Sequence, residues 1–353
     1  MRMPYLDNLR WAAVLLVVAY HVCYLFNGVG VLGAVPGARS LAAGDALLYA
    51  VYPWFMVLLF VIAGICARRA LGRRSGRDFL RERTRKLLVP STIGVVVFQW
   101  VTGLLNLASA GAFAYLPSPL VYPVAVLSGI GPLWFAQLLW LYSAVLLGLR
   151  RLDPKDRLWK AGARATSLPA LLALAVPVWA AAQVGNLPVI TVYRFGIYLA
   201  AFLLGYYVLS HEEAQAALAR AHRPLAAAAL GGGAVYVWHF YGQNYAEAAC
   251  LQSPWTNLYL WVAVLALLGC GQARWNTETA LTRRLAHASF GLYVLHYPVV
   301  LAACLLLARW AALPTPANYL LALALTLVVT PALAAGIRRV SFLRWAVLGV
   351  PRR

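Results

Sequence analysis

Charge is what this sequence has least of. Only 11% of its 353 residues are Asp, Glu, Lys or Arg, against about 25% in an ordinary soluble chain. With 63% hydrophobic residues and a mean hydropathy of +0.74, it falls outside the soluble class. An integral membrane protein with many helical spans is expected instead. Cysteine is sparse too. Cys23, Cys66, Cys250, Cys270 and Cys304 show no metal-ligand spacing and mostly fall inside apolar runs, so packing is expected of them rather than metal binding or disulfides. No stretch has a disordered composition and no soluble domain is appended. No half of the chain repeats the other, which weighs against a transporter built from repeats.

What is abundant is apolar length. Ten segments stand out, at roughly 10–28, 46–67, 87–107, 131–149, 167–184, 194–210, 225–241, 255–271, 288–309 and 317–337, each near the ~20 residues that cross a bilayer core. The expectation is an all-α polytopic fold of about ten transmembrane helices, forming one integral-membrane domain over 1–353. The first segment has the basic start and apolar core of a signal peptide, but its length and internal histidine favour an uncleaved span. Gly64, Pro177 and Pro298 lie inside segments, where neighbours must satisfy any freed backbone group. Gly231, Gly232 and Gly233 in 225–241 suit close helix packing better than phosphate binding.

The net charge of +20 would suggest nucleic acid in a soluble protein. Its placement removes that need. If ten spans alternate, 27 of the 30 Lys and Arg fall on one side, leaving Arg39, Arg194 and Arg309 on the other. By the positive-inside rule both termini are cytoplasmic.

The chemistry starts in Tyr5-Leu6-Asp7-Asn8-Leu9-Arg10, which runs into an apolar stretch holding His21. Eleven helical positions advance about 16 Å and turn roughly three turns plus 20°. Arg10 and His21 therefore share a face, one at the membrane edge and one near half depth, where an ionisable group points to function. Asp7 is placed to pair with Arg10. A second histidine, His296, lies at comparable depth in Ser289-Phe290-Gly291-Leu292-Tyr293-Val294-Leu295-His296-Tyr297-Pro298. Two histidines at matched depth in separate spans mark a site better than either alone.

Between the second and third segments runs Phe79-Leu80-Arg81-Glu82-Arg83-Thr84-Arg85-Lys86, ending at Pro90. Guanidinium groups there suit phosphates through forked, charge-assisted hydrogen bonds, on a cofactor or on lipid head groups. The same charges would also serve topology alone. Gly131-Pro132-Leu133-Trp134-Phe135 opens the fourth segment, where a Trp is a membrane-interface anchor or a substrate contact. His239 falls in an outer aromatic cluster, and Asp45 and Glu247 at outer ends are expected to be solvated.

These motifs, in this order, resemble the membrane-bound acyltransferase-3 family, which includes bacterial O-antigen acetylases and glucan succinyltransferases. The resemblance runs from Tyr5–His21 through Pro53-Trp54-Phe55 and Ile62-Ala63-Gly64 to Phe79–Pro90, Leu133-Trp134-Phe135 and Ser289–His296, covering the chain in order. It implies transfer of an acyl group, acetyl or succinyl, from cytoplasmic acyl-CoA to a hydroxyl of a glycan, at a bacterial inner membrane and without metal or nucleic acid. Arg10 and His21 match the family's essential pair. Arg83 and Lys86 match its two-arginine loop motif with lysine second, which keeps charge and loses the fork; Arg81 and Arg85 flank it as donor-binding candidates. His296 joins the catalytic set, and Trp134, Tyr293 and Asp7 the substrate-contacting one.

A neutral imidazole suits removal of a hydroxyl proton, and Arg10 suits donor orientation or a developing oxyanion. Direct transfer and a transient acyl-histidine both fit. The competing classes are a polysaccharide or small-molecule exporter and a scaffold whose basic loop only touches anionic membrane lipid.

Overall fold

The computed structural model describes residues 3–31, 33–188, 192–309 and 313–351, and most of these are helical. Helix α1 spans Pro4–Leu25; Pro4 suits its first turn, where a missing N–H costs nothing. Its 22 residues rise about 33 Å, enough to cross the hydrocarbon core. Helices α2 (Ala42–Val51), α3 (Phe55–Leu71) and α4 (Gly76–Arg83) follow. Then come α5 (Trp100–Ser109), α6 (Ser118–Ser128), α7 (Trp134–Leu152) and α8 (Phe195–Tyr207). The chain closes with α9 (His222–Phe240), α10 (Pro254–Arg274), α11 (Ala280–Arg309), α12 (Thr315–Arg339) and the short α13 (Ser341–Leu348).

The fold is that of an all-α polytopic membrane protein. Among the described residues, seven helical stretches are long and apolar enough to cross a bilayer: Pro4–Leu25, Ala42–Leu71, Gly76–Ser109, Gly131–Leu152, Pro254–Arg274, Ala280–Arg309 and Thr315–Arg339. An eighth is added if Arg157–Ala165 and Leu168–Ala181, bent by 110° to one another, form one span. The segment expected at 194–210 becomes the 13-residue α8, only about 20 Å long. Its start is taken by a hairpin in which Asn186–Pro188 pairs antiparallel with Val192–Arg194. The segment at 225–241 is the alanine- and glycine-rich α9, which is not among the seven.

The core is one large apolar cluster running through the membrane helices, with a small satellite at Leu107, Ala112 and Ala125. Helix α3 lies at its centre and crosses α8 where both are small. A Cβ on Gly64 would collide with the Phe202 carbonyl, and one on Gly205 with the Val61 carbonyl. Small residues on both sides let the backbones approach, which is how helices gain contact where lipid is as apolar as the core.

Helix α11 packs along α1 and α12 and contains Pro298. Proline has no N–H, so the Val294 carbonyl four residues back loses its helical donor. Gln99 supplies the replacement: its Nε2 donates to Val294 O at 2.6 Å, and its Oε1 accepts from Thr102 Oγ1 at 2.9 Å. Gln99 ends one of two short π-helical turns, Thr84–Leu88 and Val95–Gln99. Such widened turns are frequent at functional sites. The first carries Arg85 and Lys86 of the basic loop.

Candidate active site

The fold brings His21 of α1 and His296 of α11 together. His296 Nε2 lies 3.2 Å from His21 Nδ1. The neighbours of each nitrogen decide where the protons sit. His296 Nδ1 faces two carbonyls, Tyr293 O at 2.8 Å and Leu292 O at 3.1 Å; carbonyls only accept, so this nitrogen carries the hydrogen. Its Nε2 is then an acceptor. His21 Nδ1 faces that acceptor and also Val17 O at 2.8 Å, so it too carries its hydrogen, shared between the two. The lone pair of His21 is left on Nε2, which has no hydrogen-bond partner among the described residues. His296 is fully buried, and His21 is only partly so.

Aromatic rings enclose this pair. Tyr297 meets the His21 ring edge-on at 5.0 Å, and Tyr20 and Tyr24 do so at 5.4 and 6.2 Å. Gly131 adopts φ +45° and its Cα side faces the Tyr297 ring, so a side chain there would be strained and pressed onto the tyrosine beside His21. This gives Gly131-Pro132 a place at the site. Trp134 is half-buried and stacks on Tyr198 at 5.4 Å, with Tyr193 edge-on at 5.8 Å. Tyr293 is buried and its hydroxyl is committed to the Pro132 carbonyl at 2.6 Å. It thereby ties α11 to the start of α7.

Arg10 lies eleven positions before His21, about 16 Å along the same helix. Its Nη1 pairs with Asp7 Oδ1 at 3.0 Å and its Nη2 donates to Cys66 Sγ at 3.3 Å. Cys66 thus holds an arginine as well as packing. Arg83 sits over the Phe79 ring at 5.1 Å, within electrostatic range of Arg10 and Cys66, and makes no hydrogen bond among the described residues. Arg85 has a buried Nε without a partner. Lys86 is spent on Glu82 at 2.6 Å, which Arg74 also pairs with, and Arg81 is exposed. The structure therefore groups Arg10 with Arg83 and sets Arg81 and Lys86 outward. All five cysteines are free thiols, and no group of three or more His, Cys, Asp or Glu able to hold a metal occurs among the described residues.

Several residues here were invisible in sequence. Gln99 carried no motif, and Tyr297, although it lies in the stretch around His296, was given no role. Arg194, counted above only as an outer charge, is 1% exposed; its Nη2 donates to Leu251 O at 3.0 Å and its Nε has no partner. It lies in electrostatic range of Tyr52, Tyr198 and Tyr236. Tyr52 in turn packs on Tyr245, whose hydroxyl meets that of Tyr20 at 3.1 Å. Burial holds the Tyr245 phenol well above its ordinary range, so it stays a neutral donor or acceptor. Asp45, expected to be solvated, is 6% exposed and accepts the Gly28 N–H at 3.1 Å. His239 is exposed, as its place in an outer aromatic cluster predicts.

A family model for an acyltransferase domain matches residues 3–335, a stretch running from α1 into α12 and containing both histidines, Arg10 and the basic loop. No curated protein and no solved structure matches the chain. A polytopic helical fold under a match of that extent makes this chain a membrane acyltransferase that belongs to the acyltransferase-3 family.

Proposed function

We propose that this protein moves an acetyl or succinyl group from cytoplasmic acyl-CoA to a hydroxyl of a cell-envelope or exported glycan, in a bacterial inner membrane. The observation that supports it is the proton arrangement at His21: Nδ1–H engaged by Val17 O and His296, and Nε2 carrying a free lone pair. Nε2 takes the proton from the acceptor hydroxyl as that oxygen attacks the thioester carbonyl carbon. The C–S bond breaks, and the imidazolium returns the proton to the leaving sulfur, giving an ester and free CoA. While His21 is charged, its Nδ1–H hydrogen bonds to Val17 O and His296 Nε2 become charge-assisted, and such bonds are roughly twice as strong as neutral ones. His296, with its own proton held by two carbonyls, is a positioning residue in this scheme.

Among the described residues, Arg10 and Arg83, unlike Lys86, have no full-charge partner beyond Asp7. They are placed to take the diphosphate of the donor. The axial distance from Arg10 to His21 is of the order of an extended phosphopantetheine arm, so the thioester reaches the imidazole with the phosphates at the membrane edge. The outer acceptor would approach past Trp134, Tyr20 and Tyr24.

Membranes containing the protein are incubated with labelled acetyl-CoA and, separately, succinyl-CoA, comparing wild type with His21→Ala. Label appearing in glycan together with free CoA, and lost in the variant, supports the scheme. Turnover that survives His21→Ala removes the histidine from the mechanism.

A further inference from the structure

A cavity of about 590 Å³ opens at the cytoplasmic ends of α11 and α12, with Arg283, Arg284, His287, Phe290 and Arg338 in its wall and Leu348 and Val350 of the C-terminal segment closing it. The sequence assigned these arginines to topology alone. Their setting argues for more. Arg283 and Arg284 stand in the first turns of α11, where the helix dipole disfavours cations and favours an anion. Arg283 is neutralised by Glu278 at 2.6 Å. Arg284 and Arg338 make no hydrogen bond or ion pair among the described residues, and the Arg338 guanidinium lies against Gly291. Two free guanidinium groups therefore share one concavity, of a size ordinary for a small-molecule site. Apart from His287, the remaining wall is apolar, through Ala288, Phe290, Leu348 and Val350, which suits a flat base beside a phosphate.

The cavity joins both ends of the site already described. Gly291 on its wall precedes His296 by five residues, about 7.5 Å of helix, and Arg284 precedes it by twelve, about 18 Å. On its other side the backbone of Gly349, between Leu348 and Val350, abuts the Arg85 carbonyl and Lys86. The basic loop and the cavity are thus neighbours along one cytoplasmic arc. A CoA bears phosphate in two places, the diphosphate and the ribose 3′-phosphate, and one arginine pair serves only one of them.

We infer that this cavity receives the 3′-phosphoadenosine end of the acyl-CoA donor, with Arg284 and Arg338 gripping the 3′-phosphate. The inference rests on the acyl-CoA reading above. The 3′-phosphate is the part of the donor that dephospho-CoA lacks, so its contribution is measured by comparing acyl-CoA with acyl-dephospho-CoA.

The test uses full-length protein in nanodiscs of zwitterionic lipid. Equilibrium binding and KM are measured for both donors, for wild type and for Arg284→Gln/Arg338→Gln, with monodispersity checked for each. Wild type is expected to prefer the 3′-phosphorylated donor by roughly tenfold or more, the scale of a charge-assisted hydrogen bond. The double variant is expected to lose that preference by weakening only toward the phosphorylated donor. A double variant that keeps the preference overturns the inference and returns the 3′-phosphate to the Arg83–Lys86 loop. Equal loss toward both donors also overturns it, since the arginines then act on the fold. Should wild type bind neither donor, the acyl-CoA reading itself falls. A variant altered only in its retention of phosphatidylglycerol, read by lipid extraction, would make the cavity a lipid site and overturn the inference as well.

Discussion

His21 and His296 stand 3.2 Å apart, imidazole to imidazole, although 275 positions separate them in the chain. Among the described residues no carboxylate bonds to either ring; backbone carbonyls set the proton positions instead. An imidazole so oriented is left with one free lone pair, on Nε2.

From that pairing, His21→Ala is expected to lower acyl transfer by roughly 10²–10⁴-fold, the contribution of a positioned base. His296→Gln should lower kcat less, about tenfold to a hundredfold, and His296→Leu more than Gln, because glutamine can still accept from His21 Nδ1. Initial rates on matched amounts of membrane-inserted protein check this. Equal rates for the Gln and Leu variants would remove the positioning role of His296.

Arg10→Lys keeps the charge and loses the fork that spans Asp7 and Cys66. The donor KM is expected to rise about tenfold with kcat within about twofold, the signature of lost uniform binding. Steady-state kinetics with varied acyl-CoA decide it; a fall in kcat at constant KM would move Arg10 from donor binding to the chemical step.

Gln99→Leu strands the Val294 carbonyl that Pro298 leaves without a donor. Destabilisation of about 1–3 kcal/mol is expected, the cost of an unsatisfied buried acceptor. Adding Pro298→Ala restores a backbone N–H to that carbonyl, so the double variant should recover much of the loss. Thermal unfolding in one detergent, compared across the four proteins, reads the coupling. Simple additivity would mean that Gln99 stabilises by some other contact.

Gly64→Ala places a methyl group against the Phe202 carbonyl at the α3–α8 crossing. The helices must separate, at about 1–3 kcal/mol for overpacking. A lower unfolding temperature and loss of the monodisperse peak are expected; an unchanged protein would mean that the crossing relaxes freely.

The membrane class and the helical segments were legible because apolar length is a one-dimensional property. The exact helix ends were not: at 194–210 the apolar run says nothing of the strand that holds Arg194 or of the turn at 208–210, which together bound α8. Among the candidate-site residues, Arg10, His21 and His296 stood out in the sequence because ionisable groups are expensive in apolar segments and therefore conspicuous there. Tyr297 was not, since a tyrosine in a span reads as packing until a partner is placed beside it. Arg194 was miscounted in one sense: a charge census assigns a side of the membrane and cannot tell a buried guanidinium from a solvated one. Gln99 needed both the Pro298 defect and the neighbour that repairs it, a pairing across 195 positions that no local pattern encodes.

The separation of the two histidines also dates the birth of the site. Synthesis runs from the N-terminus, so α1 enters the bilayer with His21 long before α11 exists. Until α11 is inserted, the His21 Nδ1–H has only the carbonyl of its own helix to hold it. A chain stalled or cleaved before α11 carries the His21 imidazole without its partner, so the two-histidine arrangement exists only once α11 has been inserted.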